Sequence, residues 1–354
     1  MFPIQIRPDT ALEELRQFGT KLGQGLQTLG EIGDIEVGAS EKEAVYSEEK
    51  LVLYHYKPLV KNPNPVPTLI VYALVNRPYM ADLQKGRSLV EGLLNNGQDI
   101  YLIDWGYPDA SDRFLSLDDY INGYIDNCVD VIRKRHNLEK INILGICQGG
   151  TFSLCYSALH GSKVRNLITT VTPVDFHTRD DLLSHWVRKM DIDLLVNTMG
   201  NISGDMLNWM FVSMKPYRLM GQKYIDMVDL LDNPEQAKNF LRMEKWIFDS
   251  PDQAGEAFKQ FIKDFYQRNA LIQGDVKIGD RYVDLKQINM PVFNVYATED
   301  HLVPPASSKA LKNYVGSKDY TAMEFPGGHI GIYVSGKAQK MIPPSISEWL
   351  NARN

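Results

Sequence analysis

Seven consecutive apolar residues, Leu69-Ile70-Val71-Tyr72-Ala73-Leu74-Val75, run between Thr68 and the Asn76-Arg77-Pro78 turn signal. A strand with no polar face has to be covered on both sides, which points to a sheet sandwiched between helices. Comparable β-rich runs follow at 51–57, 68–75, 99–105, 141–146, 167–171, 292–297 and 321–325, and the stretches 87–96, 117–135 and 151–160 between them have helical patterning. Strand followed by helix, repeated, predicts an α/β fold built on a doubly wound, mostly parallel sheet.

The alternation stops after Val174 and resumes near Ile288. About a hundred intervening residues read as helical, irregular and rich in aromatics, among them Trp186, Trp209, Trp246, Phe261, Phe265 and Tyr266. Most such rings are expected to serve packing, and the remainder to line an apolar substrate channel. The expected organisation is an N-terminal helical arm over 1–40, a core over 41–175 and 286–354, and an inserted cap or lid over 176–285. Within the cap, Val276 to Val283 reads as a hairpin turning at Gly279-Asp280. In the arm, Leu12, Leu15, Phe18, Leu22, Leu26 and Leu29 recur at helical spacing, but Gly19, Gly23, Gly25 and Gly30 weaken the helix, so it needs a surface to pack on.

Composition narrows the function. With 38 basic and 44 acidic residues the net charge is -6, which offers nucleic acid no electrostatic footprint. Hydrophobic residues at 44% over 354 positions support a sizeable core and exclude a mostly disordered chain. The start Met1-Phe2-Pro3-Ile4-Gln5-Ile6-Arg7 lacks a signal-peptide pattern, and no apolar run reaches membrane-spanning length, so a cytoplasmic protein without a transmembrane segment is expected. Three cysteines, Cys128, Cys147 and Cys155, are too few for a disulfide framework, and neither they nor the histidines have the spacing of a metal site.

The chemistry centres on Gly145-Ile146-Cys147-Gln148-Gly149, which follows the apolar run 141–144 and opens a helical pattern. Strand, sharp turn and helix are the context of the G-x-S-x-G nucleophile elbow of α/β-hydrolases, here with cysteine in the serine position. An elbow demands an acid and then a histidine, each after a later strand. Asp300 ends the run 292–300 and His329 lies in Gly327-Gly328-His329 after the last strand. Glu299 is the alternative acid; Asp300 is preferred because it leads directly into the His301-Leu302-Val303-Pro304 turn. The backbone amides of Gln148 and Val75 are the candidate oxyanion donors. Arg77 is left between an anionic group of the substrate and a surface salt bridge. Cys128 and Cys155 fall within helical patterns and read as packing.

Sulfur favours a particular outcome. A helix N-terminus and a nearby histidine favour the thiolate, and attack on a thioester donor exchanges one thioester for another. The intermediate keeps its acyl-transfer potential and can form an ordinary ester, so transfer is favoured over hydrolysis. The competing readings are a thioesterase or esterase using the same triad, and a binding protein that keeps the fold but does no chemistry.

The chain resembles the polyhydroxyalkanoate synthases. The resemblance is carried by the cysteine-containing lipase box Gly145-Ile146-Cys147-Gln148-Gly149-Gly150, and by Tyr72-Ala73-Leu74-Val75-Asn76-Arg77-Pro78-Tyr79 and Tyr101-Leu102-Ile103-Asp104-Trp105-Gly106. Asp264-Phe265-Tyr266-Gln267, Asp300-His301-Leu302-Val303-Pro304 and Pro326-Gly327-Gly328-His329-Ile330-Gly331 extend it almost end to end. The length and the opening Phe2-Pro3-Ile4-Gln5-Ile6-Arg7-Pro8-Asp9 are similar to the catalytic subunit of the two-subunit class III enzymes, with class IV similar in size. The resemblance implies an acyltransferase that polymerises (R)-3-hydroxyacyl-coenzyme A, typically 3-hydroxybutyryl, with release of coenzyme A and without a cofactor. It implies that Cys147 carries the acyl group, His329 deprotonates the thiol and Asp300 helps activate the 3-hydroxyl. It further implies a second, non-catalytic subunit, a homodimer of the catalytic chain and residence on cytoplasmic polyester granules. On this basis the N-terminal arm is expected to contact the partner subunit.

Overall fold

A computed structural model describes residues 35–214, 217, 227, 230 and 233–353. The expected helix over 10–30 lies outside the described residues. Eight strands make one sheet: β1 (Lys42–Glu48), β2 (Leu51–Tyr56), β3 (Thr68–Val71), β4 (Ile100–Asp104), β5 (Ile141–Ile146), β6 (Val164–Thr170), β9 (Val292–Ala297) and β10 (Tyr320–Phe325). Their order is β1-β2-β4-β3-β5-β6-β9-β10. Only β2 runs against the rest, pairing antiparallel with β1 and β4, while every other neighbouring pair is parallel. The remaining strands among the described residues, β7 (Val276–Ile278) and β8 (Arg281–Val283), are the expected hairpin, with Gly279 at φ 59° in its turn.

Covering of both faces is visible in the central strands, where every residue of β3, β5 and β9 is buried. Each large aliphatic side chain there contributes about 1.5–3 kcal/mol through removal from water. β1 had no expectation attached: its sequence Lys-Glu-Ala-Val-Tyr-Ser-Glu is mostly exposed at the sheet edge and lacks an apolar signature.

The run expected as a strand over 68–75 leaves the sheet after Val71, although Tyr72, Ala73 and Leu74 stay buried. Apolar content alone does not separate a buried strand from a buried loop. The last residues of that run form the loop that borders the site. The helical stretch 117–135 is two segments, a π-helical turn over Asp119–Ile125 continuing into the helix Asp126–His136, which stops at Asn137 in the left-handed conformation.

Residues 38–205 with 250–353 form one compact unit, and 35–37 with 206–249 form another. In the smaller unit the helix Pro234–Phe248 starts with Asn233 accepting from the Glu235 and Gln236 amides, with Pro234 at its first position. Arg242 and Lys245 of that helix donate to the carbonyls of Glu36 and Ile35. The larger unit contains the sheet and, beyond β6, a cluster of Phe176, Phe261, Phe265 and Tyr266 with ring centroids 4.8–6.0 Å apart. Phe152, on the helix after Cys147, meets Phe261 edge to face at 5.8 Å. The aromatics of the insertion therefore divide: this cluster is buried, while Trp186, Trp209, Tyr217 and Phe248 are exposed.

Candidate active site

Cys147 follows the last residue of β5 and caps the helix Gln148–Leu159. Its φ of 54° and ψ of -123° put a side chain in a region that L-residues rarely occupy, which is how a nucleophile elbow lifts the side chain from the sheet. The turn is pinned by the Cys147 amide donating to Thr170 O at 3.0 Å and by Gly150 N donating to Cys147 O at 2.9 Å. Gly149 is required for a separate reason: a Cβ there would lie well inside van der Waals contact of the Val71 and Tyr72 carbonyl oxygens. The helix can approach the end of β3 only without a side chain at that position.

Three elements converge on the sulfur. Asp300 lies just past β9 and His329 just past β10, and both are buried. Asp300 Oδ2 accepts from His329 Nδ1 at 2.6 Å, and Asp300 Oδ1 accepts from the amides of Leu302 and Val303 at 2.9 Å each. Both carboxylate oxygens are thus occupied, one holding the ring and one holding the carboxylate. With Nδ1 donating to Asp300, Nε2 is the ring nitrogen left for chemistry. His329 is held well above the usual imidazole range. Burial opposes the charged ring, but the Asp300 carboxylate, the Cys147 sulfur and the hydrogen bonds from both outweigh it. Glu299, the alternative acid, is exposed, and its amide donates to Gly327 O.

The loop after β3 is tied down around Val75. Tyr72 O accepts from Trp105 Nε1 at 3.0 Å, and the Leu74 amide donates to Gln148 Oε1 at 3.0 Å. Asn76 sits at φ 60° with its side-chain amide donating to Ser250 Oγ. Among the described residues the Val75 amide has no hydrogen-bond partner. Arg77 pairs with Asp104 at 2.7 Å, donates to Gly106 O at 3.0 Å and stacks over Tyr107 at 4.1 Å. Its guanidinium therefore makes a salt bridge, but a largely buried one rather than the surface pair that was one of its two expected uses.

Three buried tyrosines feel the charge of Cys147, and nothing in their spacing had singled them out. Tyr72, Tyr266 and Tyr333 are each pushed well above the usual phenol range by burial, with the Cys147 charge adding to it. Tyr333 also bonds Thr170 Oγ1 at 3.0 Å, which ties the segment after His329 to β6 behind Cys147. The available signals were indirect: Tyr72 lies inside an apolar run and Tyr266 inside Asp264-Phe265-Tyr266-Gln267. Of the other cysteines, Cys128 and Cys155 are fully buried, and burial pushes Cys155 up to about 12.

A single reversed strand next to the first, a cysteine elbow after the fifth and a buried His–Asp pair after the last two define an α/β hydrolase. The family model described as alpha/beta hydrolase fold matches residues 69–335. A monoacylglycerol lipase from Paleococcus ferrophilus superposes with a TM-score of 0.56 at 17% identity, covering 87% of this chain and 100% of that one, a likeness of fold alone. At the sequence level, the chain is 64% identical to the poly(3-hydroxyalkanoate) polymerase subunit PhaC of Allochromatium vinosum, over 100% of both chains. It is 61% identical to that of Thiocystis violacea, again over 100% of both. The chain belongs to the PhaC family of poly(3-hydroxyalkanoate) polymerases and is an acyltransferase on the α/β-hydrolase fold. No helix among the described residues is long and apolar enough to cross a membrane.

Proposed function

We propose that the chain polymerises (R)-3-hydroxyacyl-coenzyme A, with 3-hydroxybutyryl as the monomer, through an acyl thioester on Cys147. The observation that carries this reading is a cysteine, rather than a serine, at an elbow that also has the buried His329–Asp300 pair. In the first step Cys147 Sγ attacks the thioester carbonyl, with its proton taken by His329 Nε2. The oxyanion is held by the amides of Gln148 and Val75, and coenzyme A leaves as the thiol when the proton returns. In the second step a 3-hydroxyl gives its proton to His329 and attacks the acyl-cysteine, forming an oxygen ester and regenerating the thiol. Asp300 helps activate that hydroxyl through the imidazole, since both of its oxygens are engaged. Thioester to thioester is nearly isoenergetic and thioester to ester is downhill, so the site drives transfer without a cofactor.

In this proposal residues 176–285 are the cap, and Tyr266 of its aromatic cluster walls the nucleophile. Residues 1–40 form the arm that meets a second, non-catalytic subunit of the class III type. The active species is a homodimer of the catalytic chain on the surface of cytoplasmic polyester granules.

The test is release of coenzyme A from (R)-3-hydroxybutyryl-coenzyme A by the purified chain, alone and with a class III partner subunit, while insoluble product is collected. Release accompanied by polymer, abolished in Cys147→Ala, is the expected result. Release with only soluble hydroxybutyrate would replace the polymerase with a thioesterase. No release in the presence of the partner would mean the wrong monomer or a protein that retains only the fold.

A further inference from the structure

The residue after the nucleophile is assigned its role in acyl transfer by its backbone amide, yet the Gln148 side chain is itself buried and reaches away from its helix to the loop beyond β3. Its partner there is the Leu74 amide, 3.0 Å from Gln148 Oε1. The orientation of the carboxamide follows from chemistry, because a backbone N–H can be accepted only by the oxygen. This bond spans 74 positions of sequence and joins the two segments that supply the two candidate oxyanion donors.

The other ties of the loop fix its flanks. Tyr72 is held by Trp105, Asn76 by Ser250 and Arg77 by Asp104, while the Leu74 bond ties the residue next to Val75 directly to the elbow helix. Gly149, next in sequence, allows the helix to approach close enough for a glutamine side chain to span the gap. The Val75 amide, adjacent to the anchored Leu74, has no partner among the described residues and is free to meet an oxyanion.

We infer that Gln148 is a positioning residue whose side-chain carbonyl sets the Val75 amide at the oxyanion site, so that one residue supplies one donor through its backbone and places the second through its side chain. The inference rests on the polymerase reading above. Oxyanion donors act only where charge develops, and loss of one costs about 10²–10³ in rate, while a displacement of about 1 Å costs as much as about 100-fold. Gln148→Met keeps the length and apolar body of the side chain but offers Leu74 no acceptor.

Two reactions of Cys147 separate positioning from mere structural support. Acylation by (R)-3-hydroxybutyryl-coenzyme A passes through an oxyanion, whereas alkylation by iodoacetamide displaces iodide at carbon and forms none. Gln148→Met is expected to slow single-turnover coenzyme A release by about 10- to 100-fold at saturating substrate with KM within about threefold, while Cys147 alkylation stays within about twofold of wild type. Release within about threefold of wild type would overturn the inference. An equal loss in both reactions would also overturn it, since Gln148 would then be holding the elbow itself. If Gln148→Met does not fold, an ester in place of the Leu74 amide, installed by nonsense suppression, removes the same hydrogen bond from its other end and carries the same expectations. Wild type and Cys147→Ala are run alongside: loss of Cys147-dependent release in wild type would remove the polymerase reading, whereas a wild-type result with an indifferent Gln148→Met removes only this one.

Discussion

Replacing Asp300 with asparagine should separate the two halves of the reaction. The new side chain keeps an oxygen for the Leu302 and Val303 amides but turns an N–H toward His329 Nδ1, which was donating across 2.6 Å to a carboxylate. The lost attraction between imidazolium and carboxylate, taken at a charge separation of about 4 Å and an effective dielectric of about 20, is about 4 kcal/mol, or roughly a thousandfold in rate if the full ring charge develops in the transition state. Attack by a hydroxyl requires that full charge, because an alcohol has no useful ionised fraction near neutrality. Attack by sulfur has a bypass: free cysteine is a few per cent thiolate at pH 7 without any base, which caps the loss at about 30-fold. Asp300→Asn is therefore expected to give a first equivalent of coenzyme A slowed by about 30-fold or less, followed by turnover slowed by about a thousandfold. Rapid-quench measurement of coenzyme A release with stoichiometric enzyme resolves both phases. An equal loss in the two phases would refute the argument, as would turnover within about tenfold of wild type.

Three further outcomes follow from the structure. Of the three cysteines only Cys147 should be alkylated in the folded protein, because burial pushes the Cys128 and Cys155 thiols up, the latter to about 12; peptide mapping after iodoacetamide treatment checks this. Gly149→Ala should lose at least about 2 kcal/mol of stability in urea melts, because its Cβ meets backbone oxygens that have no rotamer by which to move away. Asp181, buried while capping the helix Leu182–Val187 through the Ser184 amide, is raised to about 6, chiefly by burial. Between pH 4 and 6 the native state holds a proton that the unfolded chain has released, so stability should fall as pH rises through that window, by up to about 3 kcal/mol from this group. Asp181→Asn keeps a capping oxygen and should flatten that part of the stability–pH curve.

The sheet was legible because its central strands carry mostly apolar runs, interrupted only by Asn142 in β5 and Asn294 in β9, and those two strands begin and end where the runs do. The positions of Cys147, Asp300 and His329 just past strand ends were legible because a strand end followed by glycine or a turn leaves a signature in sequence. The edge strand β1 was not, since exposed residues carry no burial pattern. Nor was the exit of the chain at Val71, because Tyr72, Ala73 and Leu74 are apolar for a different reason: they back the site rather than extend the strand. Tyr266 and Tyr333 come to Cys147 from segments 119 and 186 positions further along the chain, the differences 266 − 147 and 333 − 147. Proximity of that kind is created by the closing of the fold, and no local spacing encodes it.

In the proposed mechanism, what decides between polymer and hydroxy acid is the competition of a chain hydroxyl with water for one acyl-cysteine. Both nucleophiles need the same base, so His329 and Asp300 do not discriminate between them. Discrimination has to come from placement. A hydroxyl held against the acyl carbon can reach effective molarities of about 10⁵–10⁸ M, far above that of liquid water, provided the pocket orients it. In that mechanism the means are buried aromatic side chains: Tyr72, Tyr266 and Tyr333 feel the Cys147 charge, and Phe176, Phe261 and Phe265 form one cluster with Tyr266. Such a surface matches an aliphatic ester chain and offers water few partners. Loosening it at one ring, by Phe265→Ala, should therefore change the product before it changes the chemistry: soluble hydroxybutyrate per coenzyme A released should rise while the single-turnover acylation rate holds within about threefold, because the elbow and the His–Asp pair do not contain Phe265. If acylation and partition instead fell together, the aromatic cluster would be acting as scaffold for the elbow, and the preference for transfer would have to reside elsewhere.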